Sequence, residues 1–103
     1  MIRHIVALHF KPGTNAETKD RLYTALAGLS AHIGGILDFQ SSKNVTVEPL
    51  SRGFDDLFWF DFTDAAARDA YLIHPAHQAV GAQIVAETEG GVEGVFVFDV
   101  VAR

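Results

Sequence analysis

Two stretches of this chain, Leu57-Phe58-Trp59-Phe60 and Val95-Phe96-Val97-Phe98, are apolar at every position. Each is short, rich in β-branched and aromatic residues, and reads as a strand. Side chains alternate between the two faces of a strand, so both faces of the sheet these strands form must leave water. A parallel sheet achieves this with helices on both sides. Here only two helical regions interrupt the strands of a 103-residue chain, enough to cover one face. The other face would expose more than the few hundred Å² of apolar patch that a monomer usually shows. A second copy packed face to face about a two-fold axis removes it. A C-terminal tail folded over the sheet is the alternative, but only two residues follow Val101.

The rest of the chain reads as follows. Ile2 to Phe10 is a strand, with Ile2, His4, Val6, Leu8 and Phe10 on one face and Ile5, Ala7 and His9 on the other. Thr14 or Asn15 caps a helix starting near Ala16, whose buried stripe is Leu22, Leu26, Leu29 and Ile33. Gly34-Gly35 stops it. Ile36 to about Val47 is a second strand, with a bulge or bend expected at Ser41-Ser42-Lys43-Asn44. A loop over Glu48–Asp55 leads to the strand Asp56–Phe62. Thr63 or Asp64 caps a helix to about Ile73, and a reoriented helix runs from Pro75 to about Thr88. Val92 to Val101 is the last strand. The order βαββαβ predicts an α+β, ferredoxin-like split βαβ unit: one domain over 1–103, with a four-stranded antiparallel sheet.

Composition narrows the partners. A net charge of -5, with eight scattered basic residues, argues against nucleic acid and anionic membranes. The absence of cysteine fits a reducing cytoplasm. Met1-Ile2-Arg3-His4 lacks a signal-peptide layout, and no apolar run approaches ~18 residues. The expectation is a soluble, cytoplasmic protein.

The chemistry concentrates at Tyr71-Leu72-Ile73-His74-Pro75-Ala76-His77. Pro75 ends one helix and suits the first turn of the next, so side chains from two helices can be aimed at one spot. His77 is the candidate general base, since imidazole titrates near neutrality; the plainer reading is a first-turn histidine bonded to a backbone carbonyl or water. Tyr71 is the candidate oxyanion donor, or else a ring packed on the sheet. His74 is placed to close a helix end, with contact to a ligand as its second option. His4 stands among apolar residues on the helix-covered face and needs a polar partner. Asp56 shares parity with Phe58 and Phe60, and is expected at a cavity mouth, where it would orient His77 or be solvated. Phe58 and Phe60 would line that cavity. His9 should face the dimer interface or its rim, and His32 has no assigned role. No metal site is expected: Pro75 spoils the helical geometry of the His74/His77 pair, and no acidic ligand accompanies it. No phosphate loop surrounds Gly34-Gly35 or Gly90-Gly91.

His4-Ile5-Val6-Ala7-Leu8-His9-Phe10-Lys11, Gly34-Gly35-Ile36, Gly53-Phe54-Asp55, the Tyr71–His77 segment and the ending Phe98-Asp99-Val100 together resemble the stress-responsive A/B barrel family, from Ile2 to Val101. The resemblance implies a ferredoxin-like protomer and a dimeric α/β barrel formed by two sheets. One branch of that family is similar to plant polyketide cyclases, which close a ring by an aldol reaction without a cofactor. In that branch the residue matching His77 is the base, the one matching Tyr71 assists, and the one matching His4 lines the cavity. Those cyclases carry a histidine on the third strand where this chain has Asp56.

Three functional readings follow. The first is a dimeric barrel protein holding a small apolar or aromatic carbonyl compound between helices and sheet, which extends to cofactor-free cyclase chemistry. The second is a module whose dimer is its function, with a cavity well below the ~300 Å³ usual for ligand sites. The third, a cofactor-free monooxygenase, rests on fold analogy.

Overall fold

A computed structural model describes residues 1–103. Its elements are β1 (Ile2–Leu8), α1 (Ala16–Ala27), β2 (Ile36–Lys43), β3 (Asp56–Phe62), α2 (Ala65–Leu72), α3 (Pro75–Glu87) and β4 (Val95–Val101), with short 3₁₀ turns at Gly28–Ala31 and Gly91–Gly94. The four strands form one sheet in the order β2-β3-β1-β4, each neighbour antiparallel. The βαββαβ ferredoxin-like arrangement expected from the sequence is the observed one. No helix is long and apolar enough to cross a membrane.

The caps explain where the helices begin. Asn15 Oδ1 accepts the N–H of Thr18 at 2.8 Å, and Asp64 Oδ1 accepts that of Ala67 at 2.8 Å, each satisfying a donor left free in the first helical turn. The α1 stripe is continued by the 3₁₀ turn, which keeps Leu29 buried, and by Ile33 beyond it. Gly35 then turns with φ +83°, and a Cβ there would lie 2.5 Å from Ala67 Cβ, so only glycine lets α2 pack this closely.

The core sits between the inner sheet face and the helices: Val6, Leu8, Phe58, Phe60 and Phe62 from the sheet, and Leu22, Leu26, Tyr71, Val80 and Ile84 from the helices. Phe60 and Phe62 are wholly buried, whereas Phe96 and Phe98 on the outer face keep 55% and 43% of their surface exposed. That outer face carries Ile5, which pairs with both Trp59 and Phe98, and ends in a bidentate Arg3–Asp61 ion pair at 2.8 and 3.1 Å.

Three boundaries differ from the sequence reading. β1 ends at Leu8, and Phe10 returns as a single bridge to Thr88. β2 ends at Lys43 rather than near Val47, because Asn44 turns the chain: its Nδ2 donates to Phe54 O and its Oδ1 accepts from Thr46 N–H. The irregularity in β2 lies between Ile36 and Asp38, while Ser41 and Ser42 pair in regular register with Phe58 and Leu57. The polar run at Ser41–Lys43 marks an exposed edge strand, not a bulge. Finally, Val92 belongs to the 3₁₀ turn before β4.

Candidate functional site

The helix break works as a two-sided mount. α2 stops at Leu72, and His74 takes an extended conformation (φ -71°, ψ 132°) as N-cap of α3, with Pro75 at the first helical position. His74 Nδ1 accepts the N–H of Ala76 at 3.0 Å. Its ring is therefore occupied in closing the helix, and it does not line the cavity described below.

Across this break Tyr71, on the last turn of α2, meets His77, on the first turn of α3. Their ring centroids are 4.1 Å apart with planes tilted by 33°. Tyr71 is wedged on Phe60 and Phe62, each 5.0 Å away, and edge-on to His4 at 5.8 Å. Burial pushes its phenol pKa well above the ordinary value, so it keeps its proton at physiological pH. His77 Nδ1 lies 3.3 Å from Leu72 O. A carbonyl oxygen only accepts, so Nδ1 carries the hydrogen and Nε2 keeps its lone pair. Burial lowers the His77 pKa below 6.5; the Leu72 carbonyl opposes this, and the charges of His4 and His74 add to it. Burial therefore favours the neutral imidazole of His77.

Behind the pair stands a polar chain that the sequence reading missed. His4 is buried on β1, opposite Asp99 in the β1–β4 register. Its Nδ1 is 2.7 Å from Asp99 Oδ1, and Asp99 Oδ2 accepts from Arg68 Nη1 at 2.8 Å. Burial alone would raise the Asp99 pKa, but the hydrogen bonds and charges of Arg68 and His4 hold it below the usual carboxylate value. This supplies the partner that a histidine among apolar residues requires. A signal was present: Asp99 is the one charged residue in an otherwise apolar strand, at the same parity as Val95 and Val97. Arg68, an ordinary helix residue, gave none.

Asp56 was expected near His77 and is not there. It pairs with Leu8 in the β1–β3 register, whereas His4 pairs with Phe60, so Asp56 lies at the far end of the strand. Its carboxylate takes a hydrogen bond from Lys19 Nζ at 3.0 Å. Parity put it on the correct face, but position along the strand put it at the wrong end. Two polar clefts of about 510 and 420 Å³ flank that ion pair, lined by Thr14, Lys19 and Lys43 among others.

The cavity at the helix break is apolar and measures about 200 Å³. Tyr71, His77 and His4 form its polar wall; Val6, Phe58, Ile84, Val95 and Val97 are among its apolar lining, with Gly81 on α3. It opens beside the edge strand, where Val97 is 51% exposed. Phe58 thus lines it, whereas Phe60 lies beneath Tyr71 without reaching it. The volume falls below the ~300 Å³ usual for drug-sized ligands, which is the side expected of a module without a ligand, and restricts any occupant to about one ring. No cluster of three or more His, Asp or Glu side chains suits a metal ion.

Residues 2–102 match the family described as the stress responsive A/B barrel domain. A stress-response A/B barrel domain-containing protein of Arabidopsis thaliana is 30% identical over 76 residues, covering 74% of this chain and 70% of that protein. The olivetolic acid cyclase of Cannabis sativa is 25% identical over 80 residues, 78% of this chain and 79% of that enzyme. Among solved structures, a dimeric ferredoxin-like protein of unknown function from Jannaschia sp. CCS1 superposes with a TM-score of 0.81 at 33% identity, with 98% of each chain covered.

Proposed function

The chain belongs to the stress-responsive A/B barrel family, and on that premise we propose that it binds a small apolar or aromatic carbonyl compound in the Tyr71–His77 cavity and removes a proton from the carbon beside the carbonyl. The observation that carries this is the placement of His77, whose Nδ1 is committed to Leu72 O while its ring forms part of an apolar wall. Nε2 takes the proton, giving an imidazolium, and the C–H electron pair passes into the carbonyl to give an enolate. The Tyr71 O–H donates to the oxygen that gains charge. Return of the proton, or addition of the enolate carbon to a second carbonyl, completes an exchange or an aldol closure. The small volume suits a single-ring ketone. The likeness to an enzyme named a cyclase supports the ring-closing variant of this reaction.

The test is exchange of the acetophenone methyl protons in D₂O, followed by ¹H NMR. The protein accelerates loss of the methyl signal, and His77→Ala removes the acceleration while the thermal midpoint stays nearly unchanged. Equal rates with both proteins contradict the proposal.

The same reading includes a homodimer through the outer sheet face. It is supported by the exposed Phe96 and Phe98 and by the dimeric relative from Jannaschia. Sedimentation at micromolar concentration gives twice the chain mass, and Phe98→Asp gives the single mass. A wild-type monomer contradicts this part.

A further inference from the structure

Gly81 sits in the middle of α3, one turn after His77. Glycine inside a helix costs stability relative to alanine, so its presence calls for a reason. The backbone supplies none, since Gly81 is not among the positive-φ glycines. Packing supplies none either: a Cβ built at Gly81 meets one neighbour within 4 Å, at an ordinary contact distance of 4.0 Å. That neighbour is His77 Nε2, the nitrogen left with its lone pair. The missing side chain is therefore a gap in the cavity wall beside the basic atom.

We infer that Gly81 admits the ligand's reacting carbon to His77 Nε2, and that the side chain at this position sets how large a substituent that carbon can carry. The inference rests on the reading of His77 as base and adds a specificity rule to it. With glycine, a carbon bearing a methyl group fits over the helix; an alanine methyl takes that volume, and a valine isopropyl group covers Nε2.

The test uses Gly81→Ala and Gly81→Val with acetophenone and propiophenone, whose reacting carbons differ by one methyl group. Gly81→Ala raises the thermal midpoint by about 4 °C. It also lowers the exchange rate of propiophenone relative to acetophenone by roughly tenfold, the discrimination that one methyl group gives in an apolar pocket. An unchanged ratio of the two rates overturns the inference, as does a fall in thermal midpoint, which would mean that the glycine serves packing. A second readout needs no ligand: carbethoxylation of His77 by diethylpyrocarbonate, followed by peptide mass spectrometry. Gly81→Val slows it roughly tenfold if position 81 controls access to Nε2; a rate equal to wild type overturns the inference. If wild type exchanges neither ketone yet Gly81→Val still protects His77, the base reading fails and the role of Gly81 as gate to Nε2 stands.

Discussion

Two polar clusters lie between the sheet and the helices, one under α1 and one under α2 and α3, towards opposite ends of the inner sheet face, and they use similar parts. At one end Tyr23, Lys19 and Asp56 gather beside Phe58; at the other Tyr71, Arg68, Asp99, His4 and His77 gather beside Phe60 and Phe62. Both hold a tyrosine whose burial raises its pKa. They differ in what is left over once the hydrogen bonds are made. Lys19 and Asp56 satisfy one another, and the buried Tyr23 hydroxyl finds no partner. At the other end the ion pair continues into His4, and a second imidazole is fixed through one nitrogen with the other left free. A buried ion pair holds structure; a site needs an acid or base with unspent capacity facing a space.

Substitutions at matching places in the two clusters test this contrast. The largest effect is expected at the bases of the two clusters. His77→Ala reduces ketone exchange by about a hundredfold or more, whereas Asp56→Asn leaves exchange unchanged. Asp56→Asn instead lowers stability by about 1–2 kcal/mol, because the half-buried Lys19 ammonium loses its carboxylate partner; urea unfolding measures it. Loss of exchange in Asp56→Asn would erase the distinction.

The tyrosines come next. Tyr71→Phe lowers exchange by about tenfold to a hundredfold, by removing a donor to the oxyanion. Tyr23→Phe removes a hydroxyl that is desolvated without a hydrogen bond, so stability holds or rises and exchange does not change. A destabilised Tyr23→Phe would show that the hydroxyl has a partner in solution.

Smaller effects concern pH. Asp99 has a folded pKa below its unfolded one, so its contribution to stability is present above about pH 4 and is lost as pH falls through the folded value. Asp99→Asn therefore flattens the acid limb of the stability curve. His77 also has a lowered folded pKa: its neutral form is favoured, its contribution is complete above pH 6.5 and declines below it. His77→Ala flattens that part of the curve, and only weakly because the ring is partly exposed to solvent. Thermal melts from pH 3 to 8 resolve both.

Much of this was legible in the chain. The two-sided strands, the Leu22–Leu26 stripe and the Asn15, Asp64 and Pro75 helix starts are local patterns with local causes, and they placed the elements correctly. Tyr71 and His77 were legible as a pair because one helix break positions both. The carboxylate was not. Asp56 and Asp99 share a sheet face, and parity cannot say which end of a strand a residue occupies; only the β1–β4 register, set by pairing across 95 residues, joins His4 to Asp99. The end of β2 was misread because Val45-Thr46-Val47 has the composition of a strand yet lies exposed beyond the Asn44 turn.

The proposed chemistry requires the free nitrogen of His77. Long-range ¹H–¹⁵N correlation of the ¹⁵N-histidine-labelled protein at pH 7 reads it directly. The expected spectrum has a protonated Nδ1 and a bare Nε2, with a titration midpoint below 6.5. A proton on Nε2 at pH 7, or a midpoint above 6.5, would contradict it.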